Sequence, residues 1–186
     1  MKKYEFTGEV KRIKLIGTEV VLRRIRAVTA FGVVKAGDIG GWIEKEENLS
    51  HDGSAWVYGD ARVYGNARVY GNAKVYGDAW VYGNARVYGD ARVYGNAEVY
   101  GDAEVYSVNH IFSIGPIGSR NEYTTFYRNK NEKIEVRCGC FNGIIEEFLE
   151  KVAETHGENK HASVYRAAAE IAKLQIEPLS TDEEAE

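Results

Sequence analysis

The chain has 186 residues, 44% of them hydrophobic, and a formal net charge of −4. That is enough material for one compact unit with small flanking modules, and no apolar run approaches the length of a membrane span. Arg62, Arg68, Lys74, Arg86 and Arg92 are offset by Asp60, Asp78, Asp90, Glu98, Asp102 and Glu104, so no basic face for a nucleic-acid duplex is expected.

The first 54 residues read as an N-terminal β cap with an irregular first coil. Tyr4–Phe6, Val10–Ile16 and Glu19–Val28 have strand character, with Gly17 in a turn. The opening Met-Lys-Lys-Tyr-Glu is not followed by a signal-peptide core, which favours a cytoplasmic protein. Residues 31–43 bring the chain into a six-residue phase, and Ile43 and Leu49 fall in the phase of Ala55.

Residues 55–106 then repeat every six positions through nine units of the form Ala-x-Val-Tyr-Gly-Asx. Ala61 and Val63 are two apart and share a face of an extended segment, while Arg62 and Tyr64 take the other. The small apolar face therefore lines an interior. Gly-Asx supplies a turn, because glycine and, less readily, Asn or Asp tolerate left-handed backbone. Three turns close a coil, which predicts a mainly β fold: a left-handed parallel β-helix with positions eighteen apart in register. Tyr58, Tyr76 and Tyr94 would form one aromatic ladder, Tyr64, Tyr82 and Tyr100 a second, and Tyr70, Tyr88 and Tyr106 a third. Trp56 and Trp80 occupy the variable outward position, as interface anchors or as residues buried against the flanking modules.

Residues 107–179 break the repeat and read as a βββαα module. Strands are expected at His110–Ile117, Tyr123–Arg128 and Lys133–Phe141. A first helix runs from Asn142 to His156 and stops at Gly157. A second spans His161–Gln175 with Val164, Ala168, Ile171 and Leu174 on its apolar face. Residues 180–186 form an acidic tail expected to be disordered. Cys138 and Cys140, two apart on one strand face, read as reduced thiols. With no second cysteine pair, neither a structural zinc site nor any other metal or cofactor is expected.

Candidate chemistry lies in that module. Ile114-Gly-Pro-Ile-Gly-Ser-Arg-Asn121 joins glycines, a hydroxyl, a guanidinium and an amide around a turn that can aim backbone N–H groups at an anion. The binding set expected is Gly118, Ser119, Arg120, Asn121, Thr124, Tyr127, Arg137, Cys138 and Cys140. A Gly-Pro hairpin turn with a surface arginine is the alternative. Of the four histidines, His51 falls in the phase of the inward valines. His110 is the candidate general base, and His156 and His161 flank the inter-helix turn.

The solenoid resembles hexapeptide acyltransferases, trimeric enzymes that place a histidine near a coil interface; here the repeats contain none. Gly40-Gly-Trp-Ile-Glu44, Asn48-Leu-Ser-His51, the repeats, Ile114–Arg120 and Cys138-Gly-Cys-Phe141 also resemble short phage-encoded hexapeptide-repeat proteins. That resemblance implies no settled enzymatic activity. A homotrimer is expected, because flat-sided triangular prisms associate around a threefold axis and closed symmetry is the default for homo-oligomers. The function expected is sequestration of a small anionic, nucleotide-like ligand such as a host immune signal, without catalysis. A structural or protein-interaction solenoid and an acyltransferase are the alternatives.

Overall fold

A computed structural model describes residues 2–15 and 17–176. The expected end of a strand at Ile16 and the acidic tail at 180–186 lie outside them. The chain forms two units. One holds the residues up to Asp102 with Tyr106–Val108, and the other holds Ala103–Val105 with the chain from Asn109 onward.

In the first unit, β1 (Tyr4–Leu15) and β2 (Thr18–Ala27) make an antiparallel hairpin, with a register shift between Phe6 and Val10. The two short strands expected before Ile16 are thus one strand with a bulge. Next, β3 (Ile39–Ile43) pairs antiparallel with β2 on one side. On the other it pairs parallel with β5 (Arg62–Val63). The hairpin therefore extends one face of the solenoid.

Two-residue strands follow at every sixth position: β4 (Trp56–Val57), β5, β6 (Arg68–Val69), β7 (Lys74–Val75), β8 (Trp80–Val81), β9 (Arg86–Val87), β10 (Arg92–Val93) and β11 (Glu98–Val99). One more, β12 (Glu104–Val105), belongs to the second unit. Parallel pairing joins every third strand, so β5, β8 and β11 share one face, β4, β7 and β10 the next, and β6 and β9 the third.

The local chemistry of the repeat explains this. Ala61, Val63, Ala79 and Val81 are fully buried, so small apolar side chains fill the interior. Arg62 N–H donates to Ala79 O (2.9 Å), Tyr64 N–H to Val81 O (3.1 Å) and Asn66 N–H to Gly83 O (2.9 Å), so strand and corner both bond to the next coil. The corner glycines from Gly59 to Gly101 hold φ between +57° and +74°, the region an L side chain resists.

Outside the corners, the tyrosines stack as the repeat implies. Ring centroids lie 5.0 Å apart for Tyr64–Tyr82 and 4.9 Å for Tyr70–Tyr88. Asn66, Asn84 and Asp102 form an amide ladder with 3.2 Å bonds. Trp56 is fully buried among Tyr4, Phe31 and Tyr58, so it serves the N-terminal cap and presents no surface. Trp80 is half-buried beneath the Arg62 guanidinium, 4.7 Å from its ring centre.

The phase of the first coil differs from expectation. Ile43 lies opposite Val63 and Leu49 opposite Val69, twenty positions on, whereas Val57 lies opposite Val75, eighteen on. Ile43 and Leu49 therefore take the valine position, not the alanine position. The alanine position falls to Gly41, whose missing Cβ would stand 2.6 Å from Val57 Cγ1 and 2.8 Å from Ala61 O. The stretch from Leu49 to Val57 is two residues longer than a regular unit. This surplus carries His51 out of the inward column to stack on Tyr4, with ring centroids 4.3 Å apart. Buried Asn48 secures the departure: its amide donates to Ala67 O (2.8 Å) and Gly65 O (3.2 Å) and accepts from Lys45 N–H (2.9 Å).

In the second unit, β13 (Ile111–Ile117), β14 (Glu122–Arg128), β15 (Ile134–Cys138) and β16 (Phe141–Ile144) form an antiparallel meander. Helices α1 (Ile145–His156) and α2 (Lys160–Gln175) cover it, burying Phe126, Val136, Phe148, Tyr165 and Ala169 together. Three expectations change here. Residues 142–144 belong to a fourth strand and are not the start of the helix. Cys138 ends β15 and Cys140 lies in the hairpin turn after Gly139, so the two thiols do not share a strand face. The apolar face of α2 runs through Ala162, Tyr165, Ala168, Ala169 and Ala172, while Ile171 and Leu174 are 46% and 86% exposed. Asn159 caps α2, accepting from His161 N–H and Ala162 N–H, and starts the helix at Lys160.

Candidate functional site

Within the second unit, the residues singled out in the sequence do not converge on one surface. Gly118 (φ +72°) heads the turn Gly118–Asn121. A Cβ there would stand 1.8 Å from the Tyr165 hydroxyl, so α2 already fills the space that its glycine leaves. The Tyr165 hydroxyl exchanges hydrogen bonds with Ser119 and the Cys138 thiol, and burial raises its pKa, with the neighbouring thiol adding to the rise. Thr124 is fully buried and donates to Cys138 Sγ (3.2 Å). These groups make a polar knot between sheet and helix.

The remaining members of the set lie apart from the knot. Tyr127 is fully buried, its hydroxyl 3.4 Å from Asn142 Oδ1. Arg120 pairs with Glu122 (3.3 Å) above Gly139, while Asn121 holds φ +52° and is exposed. Arg137 is half-buried on β15 opposite Thr125, and Cys140 is exposed. Gly115–Pro116, a cis peptide, sits at the register break inside β13 and not at the turn.

The candidate base His110 is 3% exposed. Its Nε2 lies 3.2 Å from Arg128 Nη1, and since a guanidinium only donates, that nitrogen accepts. Burial first, and the Arg128 charge second, bring its pKa down to about 4. His110 is therefore neutral, and Arg128 takes up its Nε2 lone pair. His156 and His161 face each other across the inter-helix turn, with ring centroids 5.8 Å apart.

The first unit holds a groove that sequence reasoning passed over. Its volume is about 560 Å³, and it is lined by Glu46, Glu47, Ser50, His51, Arg68, Arg86 and their neighbours. It lies where the two surplus residues carry the chain off the repeat; the irregular spacing around His51 was the available signal. Arg68 and Arg86 sit in direct register on β6 and β9. Tyr70, in the stacked ladder, gives the groove an aromatic wall.

His51 closes one side of the groove. Its Nδ1 accepts from Lys3 N–H (3.2 Å), which leaves the ring proton on Nε2, 3.9 Å from Glu46 Oε2. Burial lowers its pKa against an opposing pull from Glu46, so the ring is neutral. Glu46 is held by the Lys2 ammonium (2.8 Å), which lowers its own pKa. A second cleft of about 630 Å³ runs from Ser54 in the irregular stretch past Asn72 and Asp90, beside Lys74 and Arg92. Among the described residues, no cluster of three or more metal-ligating side chains occurs and no helix is long and apolar enough to cross a membrane.

The repeats match the family model described as the YdcK beta solenoid repeat, at residues 55–69, 67–83, 79–93 and 85–101. Over 62 residues the chain is 39% identical to an Escherichia coli (strain K12) protein named "Uncharacterized acetyltransferase YdcK". That segment is 31% of this chain and 19% of that protein, so the likeness reaches less than a fifth of the relative's length.

Proposed function

We propose that the chain is a β-solenoid binding protein that takes a small anion in the groove between Arg68, Arg86 and the irregular first coil, and that it acts without catalysis. The observation that supports this most is the in-register pair of exposed arginines, Arg68 and Arg86, on the wall of an open groove of about 560 Å³. Two guanidinium forks on adjacent strands suit a phosphate or carboxylate. The interruption of the repeat adds to the case, because a plain solenoid would continue in phase.

A second reading, acyl transfer, draws on the likeness to a protein named as an acetyltransferase. The histidine geometry weighs against it. His51 Nδ1 accepts from Lys3 N–H and His110 Nε2 accepts from Arg128, so a proton-accepting nitrogen of each is already engaged.

Isothermal titration with inorganic phosphate tests the binding reading. Saturable binding with one site per chain is expected. Arg68→Met with Arg86→Met should weaken it at least tenfold while leaving the unfolding midpoint within a degree or two. Undiminished binding in the double variant would place the site elsewhere. Acetyl-CoA turnover that disappears in His51→Ala or His110→Ala would replace binding with catalysis.

A further inference from the structure

Arg68 and Arg86 are only one pole of the groove. Glu46 and Glu47, on the turn Glu46–Asn48, line it as well. An ammonium already rests on this turn, since Lys2 Nζ lies 2.8 Å from Glu46 Oε1. Glu47 makes no ion pair among the described residues. The groove thus has a basic wall at Arg68 and Arg86 and an acidic one at Glu46 and Glu47, with His51 neutral. A bare phosphate monoester dianion satisfies the arginines but meets the acidic turn with like charge. A ligand bearing an ammonium as well as its anionic group answers both poles. Tyr70 adds a ring, whose face attracts cations and whose body packs against a short aliphatic linker.

Building on the anion-binding reading above, we propose that the ligand is a small zwitterion, with its phosphate or carboxylate on Arg68 and Arg86 and its ammonium on Glu47. The test compares O-phosphoethanolamine with ethyl phosphate by titration calorimetry at pH 7.5. The two share an anionic group and a two-carbon chain and differ by the ammonium. The zwitterion should bind about fivefold tighter, the worth of one partly screened ion pair. Glu47→Gln should bring the two within twofold of each other while leaving ethyl phosphate where it was.

Equal binding of both probes, or an advantage that survives Glu47→Gln, overturns the zwitterion and leaves an anion-only site. Binding of neither probe overturns the anion-binding reading too.

Discussion

Gly118 and Gly139 provide a matched pair of perturbations in the second unit. Both hold a positive φ, +72° and +58°, so alanine at either costs roughly 1–2 kcal/mol from the left-handed backbone alone. They differ in what a Cβ meets. At Gly139 the neighbours are Glu122 Oε2 at 3.1 Å and Arg120 Nη1 at 3.5 Å, the ends of exposed side chains that swing aside. At Gly118 the neighbour is the Tyr165 hydroxyl at 1.8 Å, and Tyr165 is 5% exposed and edge-on to Phe148. Moving it gives up hydrogen bonds with Ser119 and Cys138, about 1 kcal/mol each, and disturbs the packing below. Gly118→Ala should therefore cost about 3–4 kcal/mol and Gly139→Ala about 1–2 kcal/mol. Urea denaturation followed by circular dichroism measures both. Equal losses would show that α2 does not press on the turn, and the closed polar knot would have to be abandoned.

Trp56→Ala, at a fully buried ring, should cost about 3–5 kcal/mol, and the half-buried Trp80→Ala should cost less than half of that; similar losses would mean that the cap does not enclose Trp56. Acid should destabilise the second unit through His110. Its folded pKa of about 4 lies below the ordinary 6.5, so the unfolded chain takes the proton first. The stabilisation is complete above pH 6.5 and is lost as pH falls toward 4, by up to about 3 kcal/mol. Stability measured against pH should fall through that window, and His110→Gln should flatten the fall; an unchanged slope would mean that another group titrates.

The solenoid was legible because a six-residue period leaves one solution: Ala61 and Val63 inward, Gly65 at the corner, Tyr64 on its neighbour eighteen positions on. Phase across the irregular coil was not legible, because nothing in Leu49–Ser54 announces which residues are surplus until the pairing of Leu49 with Val69 is seen. The groove followed from that surplus, and the irregular spacing around His51 was its trace in the sequence. In the second unit, Gly118 read as part of a turn that aims backbone N–H groups at an anion. Its actual occupant, Tyr165, lies 47 positions away, beyond the reach of local pattern. The face of α2 was misassigned because alanines carry the packing there, and Ile171 and Leu174 are the larger but exposed residues. The turn at Gly139-Cys140 was missed because a strand pattern continues on both sides of it.

Soaking crystals with tungstate, an electron-dense phosphate analogue, tests the anion site most directly. An anomalous peak is predicted between the guanidinium groups of Arg68 and Arg86, and it should vanish in the double methionine variant. A peak beside Arg120 or between Lys74 and Arg92, with the groove empty, would contradict the account and move the site to the Gly118–Asn121 turn or to the second cleft.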